Sequence, residues 1–129
     1  MSEGLKDQTP PQNIDAEKAV LGAIFLSGDA LVDAMEQLQA EDFYRRANQL
    51  IFQVMVDLND RDEAIDVVTV TDELTRQNQL DDVGGMPYIG ELATSVPTAA
   101  NVGYYAKIVS DKATLRRLIQ TATKIVTEG

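Results

Sequence analysis

The sequence predicts an all-α fold: a compact multi-helix globule followed by one long projecting helix, the first half of a helical hairpin. Three observations carry this. Apolar residues recur at helical spacing through most of the chain, most clearly at Leu50, Ile51, Val54, Met55 and Leu58. The one β-branched run, Val67-Val68-Thr69-Val70-Thr71, favours a strand by propensity but would have no partner strand elsewhere. The last apolar pattern, from about Ala99 to Thr127, gives a helix about 40 Å long, longer than a domain of this size is wide.

Taken in order, Met1–Gln12 reads as a flexible leader ended by Pro10-Pro11. Asn13 is an N-cap for a helix to about Leu26, with Val20, Leu21, Ile24 and Phe25 in one stripe and Asp15 and Glu17 near its positive end. Gly22 inside that helix costs about 1 kcal/mol against alanine, which close approach of a neighbouring helix would offset. Ser27-Gly28-Asp29 breaks the pattern, and Ala30–Leu38 forms a short second helix. A third runs from about Arg45 to Asn59 and ends in the polar turn Asn59-Asp60-Arg61-Asp62. The β-branched run is assigned to helix, because Asp66 offers an N-cap and Val67, Val70 and Leu74 keep helical phase. Gly84-Gly85 marks a turn, Pro87 suits a first helical turn, and Tyr88, Ile89 and Leu92 follow at core spacing. Pro97 blocks continuation, and Thr98 caps the long helix. Residues 13–97 are thus expected to form the globule and residues 98–129 the long helix.

The apolar phase of that helix drifts near Asp111–Thr114, so either it bends or it uses two faces. Its second half carries Leu115, Leu118, Ile119, Ala122, Ile125 and Val126 beyond the reach of the globule, and such a stripe needs a cover. The chain stops at Gly129, where a returning helix could start, which reads as a domain cut from a longer protein.

Composition excludes much chemistry. The 129 residues hold 44% hydrophobic and 25% charged side chains, the balance of an ordinary globular domain. A net charge of −10, from 21 acidic and 11 basic residues, repels phosphate backbones, so direct DNA binding is not expected. Cysteine and histidine are both absent, which removes disulfides, thiol or imidazole catalysis and the usual zinc sites. No signal peptide or membrane-length apolar run is present, and the cytoplasm is the expected compartment.

No active site is evident. Gly84-Gly85 is followed by Met86-Pro87 rather than the Gly-Lys-Ser/Thr of a phosphate-binding loop, and reads as a structural turn. Asp29, Asp33, Glu36, Asp81 and Asp82 lack the spacing of a calcium loop and read as a solvated acidic face. The pairs Arg45-Arg46 and Arg116-Arg117 make surface ion pairs or meet an acidic partner. Tyr88 is either core or exposed beside it. Interfaces favour tyrosine, which keeps it a partner-binding candidate together with Ile119 and Ile125.

The segments Pro10-Pro11-Gln12-Asn13-Ile14-Asp15-Ala16-Glu17, Ala19-Val20-Leu21-Gly22-Ala23, Asp42-Phe43-Tyr44, Ile51-Phe52 and Asp66-Val67-Val68-Thr69-Val70 resemble the N-terminal domain of bacterial replicative DNA helicases of the DnaB type. The likeness continues through Gly84-Gly85, Tyr88, Val96-Pro97-Thr98-Ala99-Ala100-Asn101, Tyr105-Ala106 and Leu115-Arg116-Arg117-Leu118-Ile119. The resemblance implies a helical globule with a helical hairpin, paired hairpins, and a collar of three dimers on a hexameric ring. It implies docking of the primase C-terminal domain at Tyr88, Ile119 and Ile125, with loader proteins as further partners. Leu115, Leu118, Ala122 and Val126 are the expected hairpin and oligomer interface. No enzyme activity and no cofactor are expected of this chain, since ATP and magnesium would belong to a downstream motor domain. The alternative is the helicase-interaction domain of another replication protein such as primase, although Met1 with a short leader suits an N-terminal position better.

Overall fold

Residues 9–128 are described in a computed structural model. Among them the fold is all-helical. Six α-helices run in the order α1 (Ile14–Leu26), α2 (Ala30–Met35), α3 (Arg46–Asp60), α4 (Val67–Arg76), α5 (Gly85–Ala93) and α6 (Val102–Glu128), with 3-10 turns at Ala40–Asp42 and Asp81–Val83. Residues 1–8 of the expected leader and the expected stop at Gly129 lie outside the described residues.

Helix α1 is the central element. It packs against α2, α3, α5 and α6, and its Val20, Leu21, Ala23 and Ile24 are wholly buried. The Asn13 side chain accepts from the Ala16 amide at 2.9 Å, closing its first turn as the sequence predicts. Gly22 is required by packing: a Cβ there would lie 2.5 Å from the Leu92 carbonyl oxygen and 2.1 Å from Ser95 Oγ, so α5 can cross only a glycine. Helix α3 contributes Ile51, Val54, Met55 and Leu58, and the Phe43 and Phe52 rings meet at 4.9 Å.

The β-branched run is helical. Asp66 accepts from the Thr69 amide and Thr69 Oγ1 accepts from the Asp66 amide, a reciprocal cap that outweighs the strand propensity of three valines. Val70 and Leu74 are buried while Val68 faces outward. At the end of α4 the Arg61 guanidinium donates to Glu73 Oε1 at 2.9 Å and the Gln77 amide to Oε2 at 2.8 Å. These bonds, Arg61 first, hold the Glu73 carboxyl below the usual carboxylate range. Gly84 adopts φ +104 and closes the second 3-10 turn before α5 starts, with Pro87 in its first turn.

Two boundaries differ from expectation. Helix α2 ends at Met35, not Leu38: the Gln37 amide bonds to the Ala34 carbonyl three residues back, tightening the last turn, and Gln39 then turns extended. The chain must turn there to bring Leu38 and Phe43 into the core. Helix α6 starts at Val102 rather than Ala99: Thr98 Oγ1 accepts from the Ala100 amide in a local turn, and the Asn101 carbonyl begins the helical ladder.

Helix α6 is unbroken over 27 residues. It therefore uses two faces instead of bending into separate helices. At about 100° per residue, Val102, Ala106, Val109 and Ala113 fall within about 60° of one another and are buried. The later apolar residues fall in an arc of about 120° centred roughly 170° away from that face. Among the residues of the helix whose burial is described, Ala113 is the last one buried, and nothing described covers those beyond it.

Candidate functional site

The side chains singled out by sequence lie on α5 and on the exposed half of α6. Tyr88 is half-buried on α5, resolving the choice between core and surface into both. Its hydroxyl donates to Asn48 Oδ1 and accepts from Arg45 Nη1 at 3.2 Å. Asn48 in turn donates from Nδ2 to Glu17 Oε1 at 2.9 Å, and both residues are buried. The Glu17 carboxylate also accepts from the Tyr44 amide at 2.7 Å and the Arg45 amide at 3.3 Å. A carboxylate on α1 thus caps the start of α3, where free amides and the helix dipole favour negative charge. The chain Arg45–Tyr88–Asn48–Glu17 fixes the tyrosine ring from its hydroxyl end.

Two cations flank that ring. The Arg45 guanidinium carbon is 5.6 Å and Lys18 Nζ 5.9 Å from its centroid, within cation–π range. Lys18 also pairs with Glu91 on the next turn of α5.

Arg116 and Arg117 sit where α6 leaves the globule. By helical phase they flank its buried face, and both reach back to the corner before α3. Arg116 donates to the Pro11 carbonyl at 2.8 Å and the Asp42 carbonyl at 2.6 Å, and its guanidinium lies 5.4 Å from the Tyr44 ring centroid. Arg117 donates to Asp42 Oδ1 at 2.8 Å, the ion pair expected of one member of this couple. Asp42 Oδ2 accepts from the Gln39 amide, so one carboxylate holds both the 3-10 turn and the helix exit.

Beyond this clasp the six expected interface residues on α6 are all exposed; of the larger ones, Leu115 is least so at 44% and Val126 most at 80%. Their angular order around the helix is Ile125, Leu118, Ala122, Leu115, Val126, Ile119. Ile125 and Ile119 therefore form the two edges, about 120° apart, and the other four lie between them. Ile119 is on the edge next to Arg116, three positions before it, and so continues the line Tyr88–Arg45–Tyr44–Arg116. Ile125 is on the far edge and does not join that line.

No group of three or more His, Cys, Asp or Glu side chains among the described residues is placed to hold a metal ion. No helix among them is long and apolar enough to cross a membrane. Sequence reasoning did not identify Glu17, Lys18, Asn48 and Tyr44 as site residues. The first and third carried a signal: Glu17 is in phase with Val20, Leu21 and Ile24, and Asn48 with Ile51, Phe52 and Met55. A polar residue on an apolar stripe needs a buried partner.

Comparison with known proteins places this geometry in a family. A family described as "DnaB-like helicase N terminal domain" matches residues 9–111. The chain is 57% identical over all 129 residues to the replicative DNA helicase DnaB of Geobacillus stearothermophilus, and 55% over the same length to the replicative DNA helicase DnaC of Bacillus subtilis (strain 168). It spans 28% of the length of each. A crystal structure of the N-terminal domain of DnaB helicase from Mycobacterium tuberculosis superposes with a TM-score of 0.89 at 49% identity, covering 92% of this chain and 86% of that one. The chain belongs to the DnaB-like helicase N-terminal domain family.

Proposed function

We propose that this chain is the non-catalytic N-terminal domain of a replicative DNA helicase, acting as an oligomerisation collar and as the docking site for the C-terminal domain of primase. The parent protein unwinds duplex DNA with ATP and magnesium, in the part of its length that the chain does not span. The matches to helicases over the whole chain favour this reading over a helicase-interaction domain of primase.

The observation that carries the proposal is the apolar stripe on the side of α6 turned away from the globule. Because it lies roughly opposite the buried face, bending the helix back could not cover it with the domain's own core. Its centre, Leu118, Ala122, Leu115 and Val126, suits a helix packed alongside, as in a hairpin and its dimer. Its edges, Ile119 and Ile125, stay at the rim of such a pairing and remain available to a second protein. Tyr88, held rigid by its hydroxyl, adds a preorganised aromatic anchor.

The test is a calorimetric titration of the chain with the C-terminal domain of the same organism's primase. Ile119→Ala and Tyr88→Ala, folded by circular dichroism, are each expected to weaken binding by about 1–3 kcal/mol, the usual cost of losing an interface anchor. Unchanged affinity in both would withdraw the docking assignment.

A further inference from the structure

Resting on the docking reading above, we infer that Lys18, Arg45 and Arg116 form with Tyr88 and Tyr44 a basic, aromatic strip that selects a carboxylate-bearing protein segment. The chain carries −10 overall, so cations gathered over two aromatic rings run against its own field. Arg45 and Lys18 stand over Tyr88, and Arg116 over Tyr44, the residue next to Arg45. The strip runs from α5 across the start of α3 to α6 and ends beside Ile119.

The pairing state of these cations supports a ligand of opposite charge. Arg45 and Arg116 bond to a phenol oxygen and to carbonyls, and neither pairs with a carboxylate among the described residues. Guanidinium groups ordered in this way keep donors for a planar carboxylate and lose little freedom on binding it. Of the three, Lys18 alone makes an ion pair among the described residues, with Glu91, half exposed at its side.

A protein segment fits better than a nucleic acid. The flanking Glu91 and the overall acidity oppose a phosphate chain, charged at every nucleotide, more than a segment bearing a few carboxylates. Cations already occupy positions over Tyr88 and Tyr44, where bases would otherwise stack. The apolar edge at Ile119 adds a contact that a protein side chain can fill. The occupant is thus a partner segment with an apolar anchor near Ile119 and acidic residues leading toward Tyr88.

The experiment titrates the primase C-terminal domain into wild-type chain, Ile119→Ala, Tyr88→Ala, Arg45→Lys and the double variant Lys18→Gln with Arg45→Gln, at salt of about 50 and about 500 mM. The double variant is expected to bind about tenfold more weakly at low salt, the difference shrinking to under about threefold at high salt. Arg45→Lys, which keeps charge but loses the fork, should fall between it and wild type. Ile119→Ala should weaken binding by the same factor at both salts. If Ile119→Ala weakens binding while the double variant matches wild type, or loses affinity independently of salt, the docking reading stands and the basic strip is overturned. Absence of wild-type binding, or unchanged affinity in both Ile119→Ala and Tyr88→Ala, overturns both. Binding of a single-stranded oligonucleotide at about 50 mM salt, lost in the double variant, reassigns the strip to phosphate.

Discussion

Replacing Glu17 by glutamine tests whether a buried carboxylate organises the start of α3. Glu17 is 1% exposed, and its two oxygens accept from the Tyr44 amide, the Arg45 amide and the Asn48 side chain. Glutamine keeps one oxygen, which the shorter bond to Tyr44 would claim. Its new NH2 group then faces the Asn48 NH2, two buried donors with no acceptor between them. One orphaned buried donor costs about 1–3 kcal/mol, and lost charge at a helix start about 0.3–1 kcal/mol. Relief of carboxylate desolvation opposes these terms, so the net loss is set at about 2 kcal/mol. For a domain of this length that lowers Tm by about 7 °C, read by calorimetry or circular dichroism. Glu91→Gln, which removes an exposed pair, should cost under about 1 kcal/mol and serves as the control. Adding Asn48→Asp to Glu17→Gln restores a donor facing an acceptor and leaves the second carboxylate oxygen for the Tyr88 hydroxyl. The double variant should recover at least half of the loss. Equal Tm values for Glu17→Gln and Glu91→Gln, or strictly additive losses in the double variant, would refute the reasoning.

Other consequences follow from single contacts. Gly22→Ala gains helix propensity but drives a Cβ against the Leu92 carbonyl, and should lose about 1–3 kcal/mol in urea denaturation. Ser95→Ala in that background should restore only part, because the backbone oxygen stays. Glu73, whose folded pKa is lowered by Arg61 and then Gln77, adds stability that is fully present above the ordinary glutamate pKa of about 4.3 and is lost as pH falls through its folded value. Urea midpoints between about pH 7 and pH 3 should therefore fall less steeply in Glu73→Gln than in wild type. Thr71 Oγ1 is buried with no hydrogen-bond partner among the described residues, so Thr71→Val should raise stability by about 0.5–1 kcal/mol in the same assay.

Much of the fold is legible because its signals are local and agree. The α3 stripe, the Asn13 and Asp66 caps and the proline at the first turn of α5 each specify helix without distant information. The two misplaced ends, at Met35 and Val102, depend on where the chain must turn to reach the core, which no spacing rule encodes. The phase break near Asp111–Thr114 was visible in the sequence. Only the structure shows that one unbroken helix carries two opposed faces. The candidate site was legible in the exposure of its apolar residues on α6, since a helix longer than the globule must leave its far end uncovered. Its polar half was not, because Lys18, Arg45, Tyr88 and Arg116 come together from four separate segments. The in-phase positions of Glu17 and Asn48 indicated a buried polar pair without saying what it would hold.

The most direct test of the docking account is a nuclear magnetic resonance titration of the labelled chain with the primase C-terminal domain. The account predicts amide shift changes concentrated around Lys18, Tyr44, Arg45, Tyr88, Arg116 and Ile119, with Val68 on α4 unmoved. Changes centred on α4 with the Tyr88–Ile119 line silent would contradict it.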